Sequence, residues 1–140
     1  MSINRKTVCE VMRKRIISAT EIDPVTQFAE ANYDFNPSGK GLWINEFSIG
    51  GAERMFTAKR SRISSFLIQY DFMVPLNSGM SSLETAINAV MAEFDLADPA
   101  KSNVSVSGLD IIVKSISRDS DNLKDYRREK LLFTLDVTSS

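Results

Sequence analysis

Apolar residues recur at helical spacing in two stretches of the chain, residues 2–19 and residues 81–94. A helix that packs on a core shows such a stripe, because every third or fourth residue returns to the same face. The stripes consist of Val8, Val11, Met12, Ile16 and Ala19 in the first stretch and of Leu83, Ile87, Val90, Met91 and Phe94 in the second. Both stretches are therefore predicted to be helices.

Alternating apolar residues predict strands elsewhere, and residues 63–74 show the alternation most clearly. One face of this strand is apolar and should lie on the core: Phe66, Ile68, Tyr70, Phe72 and Val74. Its other face carries Gln69, Asp71 and Met73. The remaining predicted strands are residues 42–49, 104–107, 109–117 and 131–138, with Gly108 separating the two central ones.

Three segments lack either pattern and are predicted to be connections. Residues 25–41 read as a loop with one short extended piece, residues 52–62 as a long exposed connection, and residues 118–126 as a polar loop. The order is helix, two strands, helix, then two or three strands. It predicts a single α+β domain over residues 1–140, with an antiparallel or mixed sheet of about four to five strands and both helices packed on one face.

Composition narrows the setting of this domain. The chain has 140 residues, a formal net charge of −1 and one cysteine, Cys9. Bulk charge therefore does not favour nucleic-acid or membrane binding, and an intrachain disulfide is impossible. No apolar stretch approaches the roughly 18 residues that span a bilayer, and the N-terminus lacks a signal-peptide pattern. We expect a protein of the cytosol, or one assembled from it.

No catalytic, cofactor or metal site is predicted, and the protein is not expected to be an enzyme. Histidine is absent, which removes the commonest general base and metal ligand. The Gly-Lys pair within residues 36–41 is not a phosphate-binding loop, because Asp34 stands where a glycine is needed and Gly41 where Ser or Thr is needed. A small enzyme or nucleotide-binding protein is the disfavoured alternative.

Three aspartates, Asp119, Asp121 and Asp125, resemble the start of a calcium loop. The pattern then fails at its later positions, which require an oxygen ligand, a glycine and a glutamate. This sequence has Leu123, Lys124 and Lys130 there. A solvated charged loop is the preferred interpretation.

Charge is unevenly placed along the chain. Four cations lie in residues 54–62, whereas residues 84–98 carry four carboxylates and no cation. Opposed patches suit head-to-tail contacts, which close into rings when the rotation allows. Two ordinary solvated surfaces are the alternative. A further basic run, Arg13 to Arg15, lies late in the first predicted helix, where cations interact well with the helix dipole.

The ordered features resemble the tail terminator proteins of long-tailed bacteriophages, from about residue 29 to the C-terminus. The matching pieces are residues 29–37 (AEANYDFNP), residues 42–44 (LWI) and residues 70–79 (YDFMVPLNSG), which lead into the second helix. The resemblance implies a homohexameric ring that sits on the last ring of tail-tube subunits, stops polymerisation and offers a surface to the head–tail connector. A tail-tube subunit or a head–tail joining protein is the alternative within the virion.

On this resemblance, the segment of residues 51–62 is the first candidate for contact with another subunit or with the tube. Its candidate residues are Arg54, Lys59, Arg60 and Arg62. The segment of residues 118–128, with Asp119 and Asp121, is the second candidate. The same cations could instead face a channel through which DNA passes, or belong to a nucleic-acid-binding module. Tight phosphate contacts would hold DNA that must move, so we favour protein contact.

Overall fold

The computed structural model describes residues 5–25, 27–29, 41–56, 61–76, 81–106 and 108–139, with the backbone alone described at residues 48–56, 61, 62 and 139. Within these residues the chain forms three helices and six strands. The helices are α1 (Arg5–Thr20), α2 (Ser81–Glu93) and α3 (Pro99–Ser102). The strands are β1 (Phe28–Ala29), β2 (Trp43–Phe56), β3 (Ser61–Pro75), β4 (Asn103–Val106), β5 (Leu109–Asn122) and β6 (Tyr126–Ser139).

The described strands form one six-stranded sheet in the order β1-β2-β3-β6-β5-β4, curled into a half-barrel. β1 pairs in parallel with β2, and every other neighbouring pair is antiparallel, so the sheet is mixed. The predicted α+β class is confirmed. The strand count exceeds the predicted four to five because β1, a strand of two residues, forms within the segment expected to hold a short extended piece.

Both long helices pack on one face of the sheet, as predicted. Val8, Met12 and Ile16 of α1 and Leu83, Ile87 and Val90 of α2 are buried in the same core as the inward face of β3. All five predicted inward residues of β3 are buried there. Phe94 follows directly after α2 and is fully buried, with its amide bonded to the Val90 carbonyl at 3.0 Å. The helical and β periods thus predicted this core.

The described parts of the segment 52–62 are strand and not the predicted exposed connection. β2 continues to Phe56 and β3 begins at Ser61, and the two strands pair in register from Ala52 opposite Ser65 to Phe56 opposite Ser61. β6 pairs with β3 no further than Thr138 opposite Ile63. The β2–β3 pairs beyond Ile63 therefore lie past the end of β6, and their residues show no apolar alternation. A strand there has no core to face, so its sequence pattern resembles a loop.

The polar segment of residues 118–126 is also mostly strand. β5 runs to Asn122 and β6 starts at Tyr126. The register sets Asp119 opposite Lys130 and Asp121 opposite Arg128. Cross-strand pairs of opposite charge stabilise antiparallel strands, and they give no apolar period to detect.

The face of the sheet away from the helices is only partly exposed. Asp71 and Met73 point to this outer face, yet both are buried. Trp43 is paired with Met73 across β2 and β3, and its ring meets Tyr126 edge-on with centroids 6.1 Å apart. Trp43 and Tyr126 thus form an aromatic pair on the outer face beside Met73.

Candidate functional site

The first candidate cluster lies at the end of the hairpin formed by β2 and β3, which we call the basic arm (residues 51–62). Arg54 is opposite Ile63 in the register, and Arg62 is opposite Met55. Lys59 and Arg60 lie outside the described residues. The arm combines Arg54, Lys59, Arg60 and Arg62 with a single acidic residue, Glu53. Arg54 and Arg62 thus belong to paired strands instead of the predicted open loop.

The second candidate cluster lies at the turn between β5 and β6. Arg128 donates to Asp121 through both sides of its guanidinium, with Nε–Oδ1 at 2.9 Å and Nη2–Oδ2 at 2.6 Å. This hydrogen bonding lowers the pKa of Asp121 and raises the pKa of Arg128. Asp119 is exposed, and its Oδ1 accepts from the Ser120 amide at 3.0 Å. Asp121 is thus engaged within the chain, while Asp119 stays on the surface.

The two clusters do not form one site within a single chain. Arg54 is the cross-strand partner of Ile63 in β3. Asp121 is the partner of Arg128 in β6, and Arg128 is the partner of Met73 in β3. Ten residues of strand separate these levels, which is about 34 Å at the usual rise per residue. The clusters therefore lie at opposite ends of the sheet, and they can meet only between different molecules.

An ion-pair ladder connects the three central strands on the outer face. Asp71 accepts from Gln69 at 2.7 Å and lies 3.8 Å from Nη1 of Arg128, while Lys130 approaches Asp121 at 4.0 Å. Burial raises the pKa of Asp71 despite the opposing effects of the Gln69 hydrogen bond and of Arg128. The sequence indicated this ladder only by Asp71, a single carboxylate in the middle of the most clearly predicted strand.

The acidic segment of residues 84–98 does not lack cationic partners. Nε of Arg15 donates to Glu93 at 3.0 Å, and its Nη2 reaches the carbonyls of Glu93 and Lys101 at 3.1 and 3.2 Å. The same guanidinium lies 4.6 Å from the ring centre of Phe94. Asp95 and Asp98 each accept a backbone amide two residues on, at 3.0 Å. The predicted negative patch is thus largely structural.

Arg13 and Arg15 lie before the last turn of α1, where the dipole interaction was expected, and they bind side chains of other elements. Arg13 donates from Nη2 to Oε1 of Glu46 at 2.8 Å, and the Tyr70 hydroxyl donates to the other oxygen at 3.0 Å. Glu46 is 3% exposed and Tyr70 is fully buried. Burial, reinforced by the Glu46 charge, raises the pKa of Tyr70 well above 10.0. The network fixes α1 to β2 and β3.

A third buried carboxylate lies at the helix-covered face near the second cluster. Glu129 accepts from Arg118 at 2.8 Å, and Glu84 of α2 lies 4.0 Å from the same guanidinium. Arg118 therefore joins the end of β5 to both β6 and α2. The three buried carboxylates named above, Glu46, Asp71 and Glu129, are each close to an arginine.

A cavity of about 460 Å³ opens between the end of α1 and the start of α2. Two polar side chains that line the cavity, Gln27 and Thr20, make hydrogen bonds to backbone groups of the same chain. Gln27 accepts from the Asp23 amide and donates to the Leu42 carbonyl, both at 2.9 Å, and the Thr20 hydroxyl donates to the Ile16 carbonyl at 2.7 Å. These groups stabilise the chain around the cavity.

The fold has a solved counterpart. One matching structure, designated only by a sequence identifier, has a TM-score of 0.63 over 97% of this chain and 96% of that chain, at 19% identity. In all, 22 chains of solved structures match. No family model matches the chain, and no curated protein matches it. The structural match shows that this α+β arrangement is shared with a protein of distant sequence.

No group of three or more Cys, Asp or Glu side chains in the described ranges converges in a way that could hold a metal ion. No helix of the described chain has the length and apolar character needed to cross a membrane.

Proposed function

We propose that this chain is a structural virion protein that forms a ring on the end of a phage tail tube. In this role it stops tail polymerisation, presents a surface to the head–tail connector, and acts near the neck of the virion after assembly in the host cytoplasm. Its partners are further copies of itself, the tail-tube protein and the connector, while DNA only passes through the channel. The observation that carries the proposal is the pair of charged hairpin ends at opposite ends of one sheet.

This arrangement suits a heterologous contact. A ring needs two different surfaces on each subunit, so that each copy binds the next with the same geometry. Arg54 of the basic arm is level with Ile63 and Asp119 is level with Asp71, so the two lie about 27 Å apart along the strands, which is too far for contact within one chain. Neighbouring copies placed side by side and offset along the strand direction bring the two ends together.

The buried ionisable groups support a structural role over a catalytic one. Glu46 is held by Arg13 and Tyr70, and Glu129 by Arg118. Such partners fix each carboxylate in place. The groups thus join helices and strands to one another, which gives a rigid body for assembly.

Mass photometry combined with negative-stain microscopy tests the proposal. We expect a discrete ring of about six chains, which also halts the growth of purified tail-tube protein when it is added. Long tubes formed by this chain alone would favour the tail-tube alternative. A chain that stays monomeric at high concentration, with and without tube protein, would contradict the proposal.

The basic arm provides a directed variant. Arg60→Glu combined with Arg62→Glu should weaken ring or tube association while circular dichroism and the thermal midpoint stay unchanged. Lys14→Glu with Lys101→Glu is the matched control, because it changes net charge equally at exposed positions away from both hairpin ends. Equal loss of assembly in the two variants would point to net charge instead of the arm.

A further inference from the structure

Two edges of the sheet are open along part of their length within the described residues. β4 pairs only with the first four residues of β5, Leu109 to Ile112. Beyond the irregularity between Val113 and Ser115, β5 has β6 on one side and no described strand on the other. On the opposite side of the sheet, β1 reaches only Ile44 and Asn45 of β2. The arm portion of β2 pairs with β3 alone among the described residues.

An open edge exposes backbone N–H and C=O groups, and proteins usually protect such edges with proline, inward charges or cover. The open part of β5, residues 115–122, contains no proline. Its charged residues are engaged inside the molecule: Arg118 with Glu129, and Asp121 with Arg128. Asp119 folds back onto the Ser120 amide. The Asp119 side chain thus occupies the Ser120 amide, so an added strand must displace Asp119 from it, and the carboxylate can then meet a charge on the incoming strand.

We propose that the arm edge of β2 in one copy adds to the open edge of β5 in the next copy as an antiparallel strand. The proposal rests on the ring function above and specifies how neighbouring subunits join. Strand direction permits it, because β2 and β6 run one way while β3 and β5 run the other. A β2 strand set beside β5 in one continuous sheet is then antiparallel to it.

Charge selects the register of this pairing. Arg54 is the cross-strand partner of Ile63. Ile63 is eight residues from Asp71 in β3, so both positions belong to the outer face, because alternate residues of a strand share a face. Asp119 is level with Lys130 and hence with Asp71, so it belongs to the same face. Pairing position 54 with position 119 therefore sets opposite charges side by side, an arrangement that stabilises cross-strand neighbours.

The same register matches charges on the helix-covered face. Glu53 is level with Ser64, and Arg118 is level with Leu131, both of which point to the core side. With 54 opposite 119, Glu53 takes the register position diagonal to Arg118, whose side chain is 41% exposed while it binds Glu129. The overlap covers residues 51–56 of one copy and residues 117–122 of the next. Both faces thus favour one alignment.

Cysteine pairs test this register directly. In a Cys9→Ala background, Arg54→Cys combined with Asp119→Cys should give a ladder of cross-linked chains under mild oxidation, because disulfides form only when Cα atoms approach within about 7 Å. Arg54→Cys with Lys114→Cys is the matched control, since position 114 lies about 17 Å along the strand. Only the first pair should produce the ladder.

Charge exchange supplies the second readout. Arg54→Asp and Asp119→Arg should each weaken association about fivefold per interface, and the double variant should recover it. The edge pairing is overturned if the ring assembles but the 54–119 cysteine pair gives no cross-linked chains, or if the control pair gives them as well. Either result leaves the proposed function intact. A strictly monomeric parent chain overturns both. Recovery in the double variant together with the ladder establishes the register.

Discussion

The buried network of Arg13, Glu46 and Tyr70 gives the sharpest stability prediction, through Tyr70→Phe. The substitution keeps the ring and removes only the hydroxyl, which donates to Glu46 at 3.0 Å from a fully buried position. A hydrogen bond to a charged group contributes about 1.5–3 kcal/mol. Because Arg13 still holds the other carboxylate oxygen at 2.8 Å, we expect a loss of about 2 kcal/mol in the free energy of unfolding.

Urea unfolding followed by circular dichroism measures this loss. With a slope of about 2 kcal/mol per M for a domain of this size, the midpoint should fall by about 1 M. Arg13→Met should cost more, about 3 kcal/mol, because it leaves the buried Glu46 charge with Tyr70 as its remaining partner in this network. A double-mutant cycle between the two positions should show coupling, since both side chains bind one carboxylate.

The pH dependence of stability provides an independent check. Tyr70 has its pKa raised by burial and by the Glu46 charge, whereas in the unfolded chain it titrates near 10.0. Above that pH the unfolded state releases this proton while the folded state retains it, so stability is lost as pH rises. The slope is about 1.4 kcal/mol per pH unit for one proton. Tyr70→Phe should remove that part of the alkaline decline.

Two results would refute this reasoning. One is a midpoint for Tyr70→Phe equal to that of the parent protein at neutral pH, which would mean that the hydroxyl contributes nothing. The other is an unchanged alkaline decline in the variant, which would mean that Tyr70 does not cause the decline. Tyr126→Phe is the matched control, because Tyr126 is only partly buried.

Three further predictions concern stability. Asp71→Asn should be neutral to stabilising at pH 7, because the raised pKa means that folding disfavours the charged form; the contribution of Asp71 to stability falls as pH rises above 3.8, and the difference between parent and variant in urea titrations across pH measures it. Arg15→Met should cost about 1–2 kcal/mol in urea unfolding, since it removes the contacts to Glu93 and to the ring of Phe94; an unchanged midpoint would make them incidental. Gly108→Ala should lower the thermal midpoint, because Gly108 has φ of 79°, at a cost of about 1–2 kcal/mol.

The sequence patterns predicted those parts of the fold that face the core. The stripe of α2 and the inward face of β3 follow directly from the helical and β periods, and their residues are buried. The patterns failed where a strand faces no core. At the arm and at the end of β5, strand pairing depends on backbone hydrogen bonds and on pairs such as Asp121 with Arg128, which leave no apolar period.

Long-range ion pairs were the other gap. Arg13 and Glu46 are 33 residues apart, and nothing local joins them. A usable signal did exist, because Glu46 has the same parity as Ile44 in β2 and so points inward. A carboxylate at an inward strand position requires a buried partner. The sequence could thus have indicated that a cation was needed there, but not which of the three in residues 13–15 supplied it.

The arm itself links the fold to the proposed assembly. Past Ile63 it consists of two strands with no third neighbour among the described residues, and an isolated two-stranded ribbon is at best marginally stable in water. Edge pairing with β5 of the next copy would supply that third strand and place the arm's charges against opposite ones. Subunit contact and arm stability then become one interaction. Variants that weaken the 54–119 contact should accordingly expose arm amides to hydrogen exchange as well as dissociate the ring, whereas variants of the core network should speed exchange throughout the sheet.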